Sequence, residues 1–502
     1  MAPSDTSTPP GHRRRASIPT AFFSLPTTSE FFRKTQFKPT KIFGVLYLAE
    51  AKPDADRLRL HTVEKLLEFP RFSSRVKLET NFFGTRQAFF ERIPREQIDV
   101  DYHFQVIQGQ QTFSAEDNIS EMVSEAHLLD WDPDKPLWKI TLVTDMKDGR
   151  SMILAIVDHT VGDGTSLAAI MSSIFDKNDN HSETKEPSSK AKAADTPLRL
   201  SHRILMNLYS VYFGTVGFPL VPADPETCLK VSAKNKRAAP IGRKCSATRH
   251  FPLEEIKAIK SQFQGATLND VLNALVTMAF RRYLEKAPGR PIHMMFAINY
   301  RPPSTTMEDL VRQGGSNRVV GGCLAVPLSY TSPLDAVWRC KAAMDIYRRT
   351  PLIPIFSHIS NVAMGFLPQM LLEHIALDNY FKSTGCLSNV MGPTKQAKLG
   401  GYVVDDIAFY GMATAQGTYI GVLSYNNQLR MFICMDKHVD ADPDGLRDAL
   451  EAAYQELKDA TKAASPSELI PPDSTPMSAK VLEWALPILL IVALGRWLAV
   501  AT

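Results

Sequence analysis

Between Asp176 and Pro197 the chain reads DKNDNHSETKEPSSKAKAADTP, a run without one Leu, Ile, Val, Met, Phe, Tyr or Trp. Such a segment cannot bury enough apolar surface to offset the entropy of ordering it, so it reads as a solvated linker. The chain has 502 residues, and a single core stops growing beyond about 250–300 residues. The linker therefore predicts two folded halves, over residues 36–175 and 246–465, with the linker itself at 176–200. A crossover segment at 201–245 is apolar but broken by Gly214, Gly217 and Pro219. Residues 1–35, rich in Pro, Ser and Arg, read as disordered, and 466–480 as a second polar linker.

Periodicity places strands and helices in both halves. Lys41–Leu48 (KIFGVLYL) reads as a strand, and Asp56–Leu67 carries Leu58, Leu60, Val63 and Leu67 at helical spacing. Trp138–Asp145 alternates with strand period, and the apolar run Ser151–Val157 suits a buried strand. A helix follows over Gly162–Phe175. In the second half, Leu268–Glu285 bears one apolar stripe. Ile292–Ile298 and Val319–Leu328 read as strands. Asn426-Asn427 between Thr418–Tyr425 and Gln428–Met435 signals a hairpin. A last amphipathic helix covers Asp444–Ala463. The fold class is α/β with α+β character, a mixed sheet flanked by helices in each half.

The net charge of +4 gives no electrostatic ground for a nucleic-acid partner. The six cysteines are scattered with no C-x-x-C pair, which argues for reduced thiols, and no metal site is expected. From Val481 to Thr502 the chain is nearly all apolar, about the 20 residues that span a bilayer. Glu483, Pro487 and Arg496 interrupt it, while Trp484 and Trp497 suit membrane interfaces. The expectation is a hydrophobic anchor on 481–502, either spanning or lying flat.

The segment most able to do chemistry is Val157-Asp158-His159-Thr160-Val161-Gly162-Asp163-Gly164. A buried strand ends there at a histidine, and a glycine-containing turn opens a helix. A neutral imidazole in that place can take a proton from a hydroxyl at physiological pH. Asp163 fits a helix cap or an ion pair that fixes the turn. A structural histidine fits the same pattern.

The stretch is similar to the H-H-x-x-x-D-G signature of the wax ester synthase/diacylglycerol acyltransferase family, within the coenzyme A-dependent acyltransferases. Pro136-Leu137-Trp138 resembles its P-L-W element, and Asn269-Asp270 its N-D element. Ala297–Pro302, Asn317-Arg318, Ser388–Pro393 and Gly421–Arg430 resemble further segments in the family's order, so the likeness covers about residues 40–460. It implies two chloramphenicol-acetyltransferase-like halves with a tunnel between them. It also implies an acyl-CoA-dependent O-acyltransferase that acylates a fatty alcohol, a diacylglycerol or both, with His159 as general base. Acyl-CoA is then a substrate, and no cofactor is expected. The implied location is a membrane, at the endoplasmic reticulum with the catalytic body in the cytosol, or at a lipid droplet.

One departure stands out: Asp158 occupies the place of the first family histidine. It either faces His159 and raises its pKa, or points into the fold as a structural partner. Gly164 completes the motif. Thr267 and Asp270 fit a capping box, whereas Asn269 suits either positioning of the site or backbone bonding. Pro136, Leu137 and Trp138 are candidates for substrate contact, although Trp138 is most simply a core residue. Asn317 and Arg318 suit either coenzyme phosphates or a strand cap. Two rival readings remain: a non-catalytic lipid-binding relative, and a serine esterase using Ser166, whose Gly164–Ala168 surroundings lack the last glycine of G-x-S-x-G.

Overall fold

The computed structural model describes residues 13–15, 41–80, 86–109, 115–176, 223–284, 291–302, 304–349, 353–355, 357–358, 369–411 and 416–470. The first half supplies β1 (Arg13–Arg15), β2 (Lys41–Leu48), α1 (Ala55–Leu67), β3 (Ser74–Thr80), β4 (Arg86–Arg92), β5 (Phe104–Gln108), α2 (Ala115–Leu128), β6 (Trp138–Thr144), β7 (Ser151–Asp158) and α3 (Gly164–Ile174). The second supplies β8 (Arg243–Ala247), β9 (Phe251–Pro252), α4 (Leu253–Gln262), α5 (Leu268–Tyr283), β10 (Ile292–Asn299), α6 (Met307–Gln313), β11 (Val319–Val326), α7 (Pro333–Arg349), α8 (Gln369–Lys382), β12 (Gly385–Met391), β13 (Lys398–Leu399), β14 (Tyr402–Tyr410), β15 (Thr418–Tyr425), β16 (Gln428–Asp436) and α9 (Pro443–Ala463).

These strands do not divide as the chain does. Of the two large sheets, one has the order β13-β14-β2-β7-β6-β5 and the other β11-β10-β12-β15-β16-β8 with β9 on β16; a small third sheet has the order β1-β4-β3. The linear division at 246–465 is thus corrected in two places. β14 leaves the second half and pairs antiparallel with β2, Phe409 opposite Gly44. β8, which straddles the expected boundary between the crossover segment and the second half, is an edge of the second sheet. Of the N-terminal segment read as disordered, Arg13–Arg15 form a strand beside β4. Nearly all of the linker (177–200), the crossover segment as far as 222 and the apolar tail at 481–502 lie outside the described residues.

Local chemistry explains the well-formed elements. Asn426 and Asn427 both adopt positive φ, 47° and 59°, which sets the twist of the two-residue turn between β15 and β16. α5 starts at a capping box in which Thr267 and Asp270 satisfy each other's backbone donors. α9 starts at Asp442, with Pro443 in the first turn where its missing N–H costs nothing. The second sheet is covered on both faces: Met431, Ile433 and Met435 pack toward α5, α7 and α9, while Phe432 and Cys434 join the core of the first lobe. That is why β15 and β16 are buried almost throughout and lack a clean polar face.

The open edge of β8 is closed by a helix. Ser120 Oγ on α2 accepts from Cys245 N at 2.8 Å and donates to Cys245 O at 3.1 Å. Ser124 Oγ does the same for Arg243, at 2.7 and 2.8 Å. Two hydroxyls therefore stand in for a neighbouring strand and tie the lobes together.

Trp138 of the P-L-W element is 1% exposed, its Nε1 donating to Phe72 O at 2.8 Å. His103 stacks on it at 4.3 Å and contacts Trp138 O through Nδ1 at 2.8 Å. Burial pushes the His103 imidazole down to about 4, so it is neutral in the folded protein. Because the folded value lies below the unfolded one, this stability is whole above pH 6.5 and is lost as pH falls toward 4. The loss reaches about 3 kcal/mol at pH 4. Urea unfolding at pH 7 and pH 4 should show the wild type losing about that much more than His103→Gln.

Candidate active site

β7 carries the chain to Asp158, where the strand stops and the turn 159–163 leads into α3. The Asp158 carboxylate turns into the fold. Its Oδ2 accepts from Trp131 Nε1 at 3.0 Å, and its Oδ1 accepts from Thr160 N at 2.9 Å and from the Thr160 hydroxyl. Of the two readings of Asp158, the geometry supports the structural partner. It anchors the start of the turn.

His159 as a residue is half-buried, and burial is the largest influence on its imidazole. Its Nδ1 lies 3.2 Å from Asn317 Oδ1. The Asn317 amide has a fixed direction, since its Nδ2 donates to His159 O at 2.9 Å and to Thr160 O at 3.3 Å. Carbonyls only accept, so Oδ1 must face the ring; Oδ1 only accepts, so Nδ1 must carry the hydrogen. The neutral ring then holds its lone pair on Nε2, ready to take a proton. Burial lowers the imidazole pKa below 6.5, outweighing the upward pull of Asp163 and Asp158 and the bond from Asn317.

The far end of the turn is held harder. Asp163 caps α3, its Oδ1 accepting from Ser166 N at 2.9 Å. Its Oδ2 accepts from Arg301 Nη2 at 2.7 Å and Arg318 N at 2.8 Å, both from the second lobe. The Arg301 and Asp163 side chains are 3% and 1% exposed, so the pair is dry. Arg301 Nη2 also donates to Ser316 O at 3.1 Å, and Ser166 Oγ donates to the same carbonyl at 2.9 Å. Gly315, at φ +101°, lets the backbones meet, because a Cβ there would stand 2.6 Å from Val161 O. On the other side Arg71 donates to Thr160 O and Val161 O at 3.1 Å each.

The remaining motif residues separate into groups. Leu137 is buried, and its carbonyl accepts from Asp158 N at 2.9 Å; Pro136 precedes it at the strand entry. Gly164 opens α3 under Val390 of β12, with room for no more than a tight contact at 3.0 Å. Asp270 is buried and bonded to Arg348 at 2.6 Å as well as to Thr267. It supports α5 and α7 rather than the turn. Asn269 Oδ1 accepts from Asn389 Nδ2 at 2.8 Å, joining the N-D element to the Ser388–Pro393 segment. Asn317 grips the His159 turn in place of the phosphate contact or strand cap expected for it. Arg318 uses its backbone, and its side chain is exposed. Ser166 is fully buried, with its hydroxyl committed to the carbonyls of Ser316 and Asp163, which removes it as a nucleophile. Arg301 and Ser316 were not singled out from sequence. AINYRP carries only a resemblance, and nothing in one chain's letters links Arg301 to Asp163.

Comparison with known proteins follows this geometry. Residues 44–272 match the wax ester synthase/diacylglycerol acyltransferase catalytic domain, and residues 316–458 match the WS/DGAT C-terminal domain. The chain belongs to the wax ester synthase/diacylglycerol acyltransferase family. It is an acyltransferase. Wax ester synthase/diacylglycerol acyltransferase 5 of Arabidopsis thaliana is 24% identical over 79% of this chain and 85% of its own length. A putative diacylglycerol O-acyltransferase of Mycobacterium bovis is 24% identical over 49% of this chain and 52% of its own. Among solved structures, the wax ester synthase/diacylglycerol acyltransferase of Marinobacter aquaeolei superposes with a TM-score of 0.58 at 16% identity, covering 89% of this chain and all of that one. A trichothecene 15-O-acetyltransferase of Fusarium sporotrichioides gives 0.60 at 14% identity, covering 89% and 94%. At those identities the structures share the two-lobed acyltransferase fold.

Three measurements test the turn. Asp163→Ala strands a buried guanidinium and should cost about 3–5 kcal/mol in a denaturant titration. Asn317→Ala removes one bond that favours the productive tautomer, worth about 1–1.5 kcal/mol, so kcat should fall roughly tenfold with KM little changed. Asn317→Asp should raise the imidazole pKa and carry the acidic limb of the pH–rate profile to higher pH.

Proposed function

We propose that this protein transfers a long-chain fatty acyl group from acyl-CoA to a fatty alcohol or a diacylglycerol, with His159 as general base. The observation that carries the reading is the Asn317 contact, which leaves Nε2 of an easily deprotonated imidazole as the proton acceptor. In that role Nε2 takes the hydroxyl proton as the alcohol oxygen attacks the thioester carbonyl. The tetrahedral intermediate collapses, the C–S bond breaks, and the proton passes to the leaving thiolate. Ester and free coenzyme A result, with no covalent acyl-enzyme. Holding both reactants at one imidazole supplies much of the rate.

An apolar cavity of about 120 Å³ beside the turn supports a fatty donor. It lies between the first sheet and α1 and α3, reaching from Val157 and Gly164 near the turn to Ile153 and Ile174. Val390 and Leu423 of the second lobe help close it. A wall almost wholly of hydrocarbon suits an acyl tail and offers little to a small polar acyl group. The motif residues Trp138 and Gly164 belong to this wall.

Membrane attachment through 481–502, at the endoplasmic reticulum or a lipid droplet with the catalytic body in the cytosol, completes the proposal and rests on sequence. Among the described residues no helix is long and apolar enough to cross a membrane. A lipid-binding relative without chemistry is disfavoured, because a carrier has no use for a base whose tautomer is fixed.

The full chain incubated with labelled palmitoyl-CoA and either hexadecanol or diacylglycerol should form ester and release coenzyme A in equal amounts. His159→Ala should lose roughly 10²-fold or more of the rate. Since burial lowers the imidazole pKa, the unprotonated form dominates down to pH 6.5, and kcat/KM should decline only at lower pH. Unimpaired turnover by His159→Ala would remove the histidine from the mechanism.

A further inference from the structure

β2 is buried along its whole length from Lys41 to Leu48 except at Gly44. A glycine inside a strand weakens it, so its presence calls for a reason. Conformation is not the reason, because Gly44 does not have the positive φ found at the turn glycines. Crowding is not the reason either, since a Cβ built at Gly44 meets nothing within 4 Å. The absent side chain leaves open space, and that space belongs to the apolar cavity beside the His159 turn. Its register partner across β7 is Ala155, likewise small and only half-buried, and likewise part of the wall.

The cavity runs along the strands. Three register pairs line it in order: Ile42–Val157 nearest the turn, Gly44–Ala155 next, and Leu46–Ile153 farthest from it. α3 lines it over the same span, from Gly164 through Leu167 and Ile170 to Ile174. Ala155 precedes His159 by four residues, and at about 3.3 Å per residue the Gly44–Ala155 pair sits about 13 Å from the histidine. A zigzag of bonds of about 1.5 Å at about 111° advances about 1.25 Å per carbon, so that distance is about ten carbons.

We propose that Gly44 sets the acyl chain length the enzyme accepts, by keeping the cavity open where roughly the tenth carbon of the donor chain passes. This rests on the reading that the cavity takes the donor's acyl tail. Shorter chains end before Gly44; longer ones must cross it to reach the Leu46–Ile153 level. A branched side chain at this position points into the cavity and blocks only the longer chains. A single methyl fills empty space, so Gly44→Ala should fold with an unchanged or raised thermal midpoint.

The test uses the full chain and two readouts. One is the ratio of kcat/KM for palmitoyl-CoA to that for octanoyl-CoA with a single acceptor. The other needs no catalysis: displacement of a fluorescent fatty acid by palmitate against octanoate. Gly44→Leu should lower the palmitoyl-to-octanoyl ratio at least tenfold in both, and Gly44→Ala should lower it less. Should Gly44→Leu fail to fold, Ala155→Val takes its place under the same criterion. A displacement ratio that stays within tenfold of wild type, or an equal loss at every chain length, overturns the proposal. If the wild type makes no ester from any acyl-CoA, the transfer reading fails, and the displacement ratio still decides the role of Gly44.

Discussion

The dry ion pair between Asp163 and Arg301 is the contact on which the site depends. One partner caps the helix that follows the histidine, and the other comes from the opposite lobe. Two charges out of water are held only while both are present and their remaining bonds are met. Asp163 meets this condition with the Ser166 and Arg318 amides; Arg301 meets it in part through Ser316 and Asn299, its buried Nε having no hydrogen-bond partner among the described residues. The cost of desolvation thus enforces a single docking of the lobes. Asn317, next to that junction, can address His159 only in that docking. The orientation of the His159 ring is thus set across an interface.

Around this point the chemistry is distributed by lobe. The first lobe provides the imidazole and the hydrocarbon cavity; the second provides the amide that orients the ring and the arginine that fixes the turn. Asp158 and Ser166, both polar and near the histidine, are taken up by Trp131, Thr160 and Ser316. Their polar groups are therefore engaged within the fold.

Much of this was legible in the letters. β2, β7, α5 and the hairpin β15–β16 follow from apolar period, a capping box and an Asn-Asn turn, all of them local. His159 stood out because a buried strand ends on it before a turn. β14 does not declare itself, because a strand buried on both faces over most of its length carries no alternation; β12 alternates in burial, but its short mixed run GCLSNVM carries no matching pattern of apolar letters. The departure of β14 into the first sheet has no local signal at all. Asn317 and Arg301 were visible as residues but not as partners of His159 and Asp163, since 158 and 138 positions separate them and one sequence holds no record of proximity. Gly44 reads as a weak spot in a strand until the space beside it is seen.

The return of β14 to β2 has a consequence for biosynthesis. A nascent chain that has emerged only through the first lobe's own strands presents β2 with an open hydrogen-bonding edge and exposed apolar side chains. That edge stays open while more than two hundred further residues are synthesised. The first lobe therefore matures late, after the polypeptide has passed residue 410, and an early-terminated product carries a sticky, incomplete sheet that invites chaperone capture or self-association.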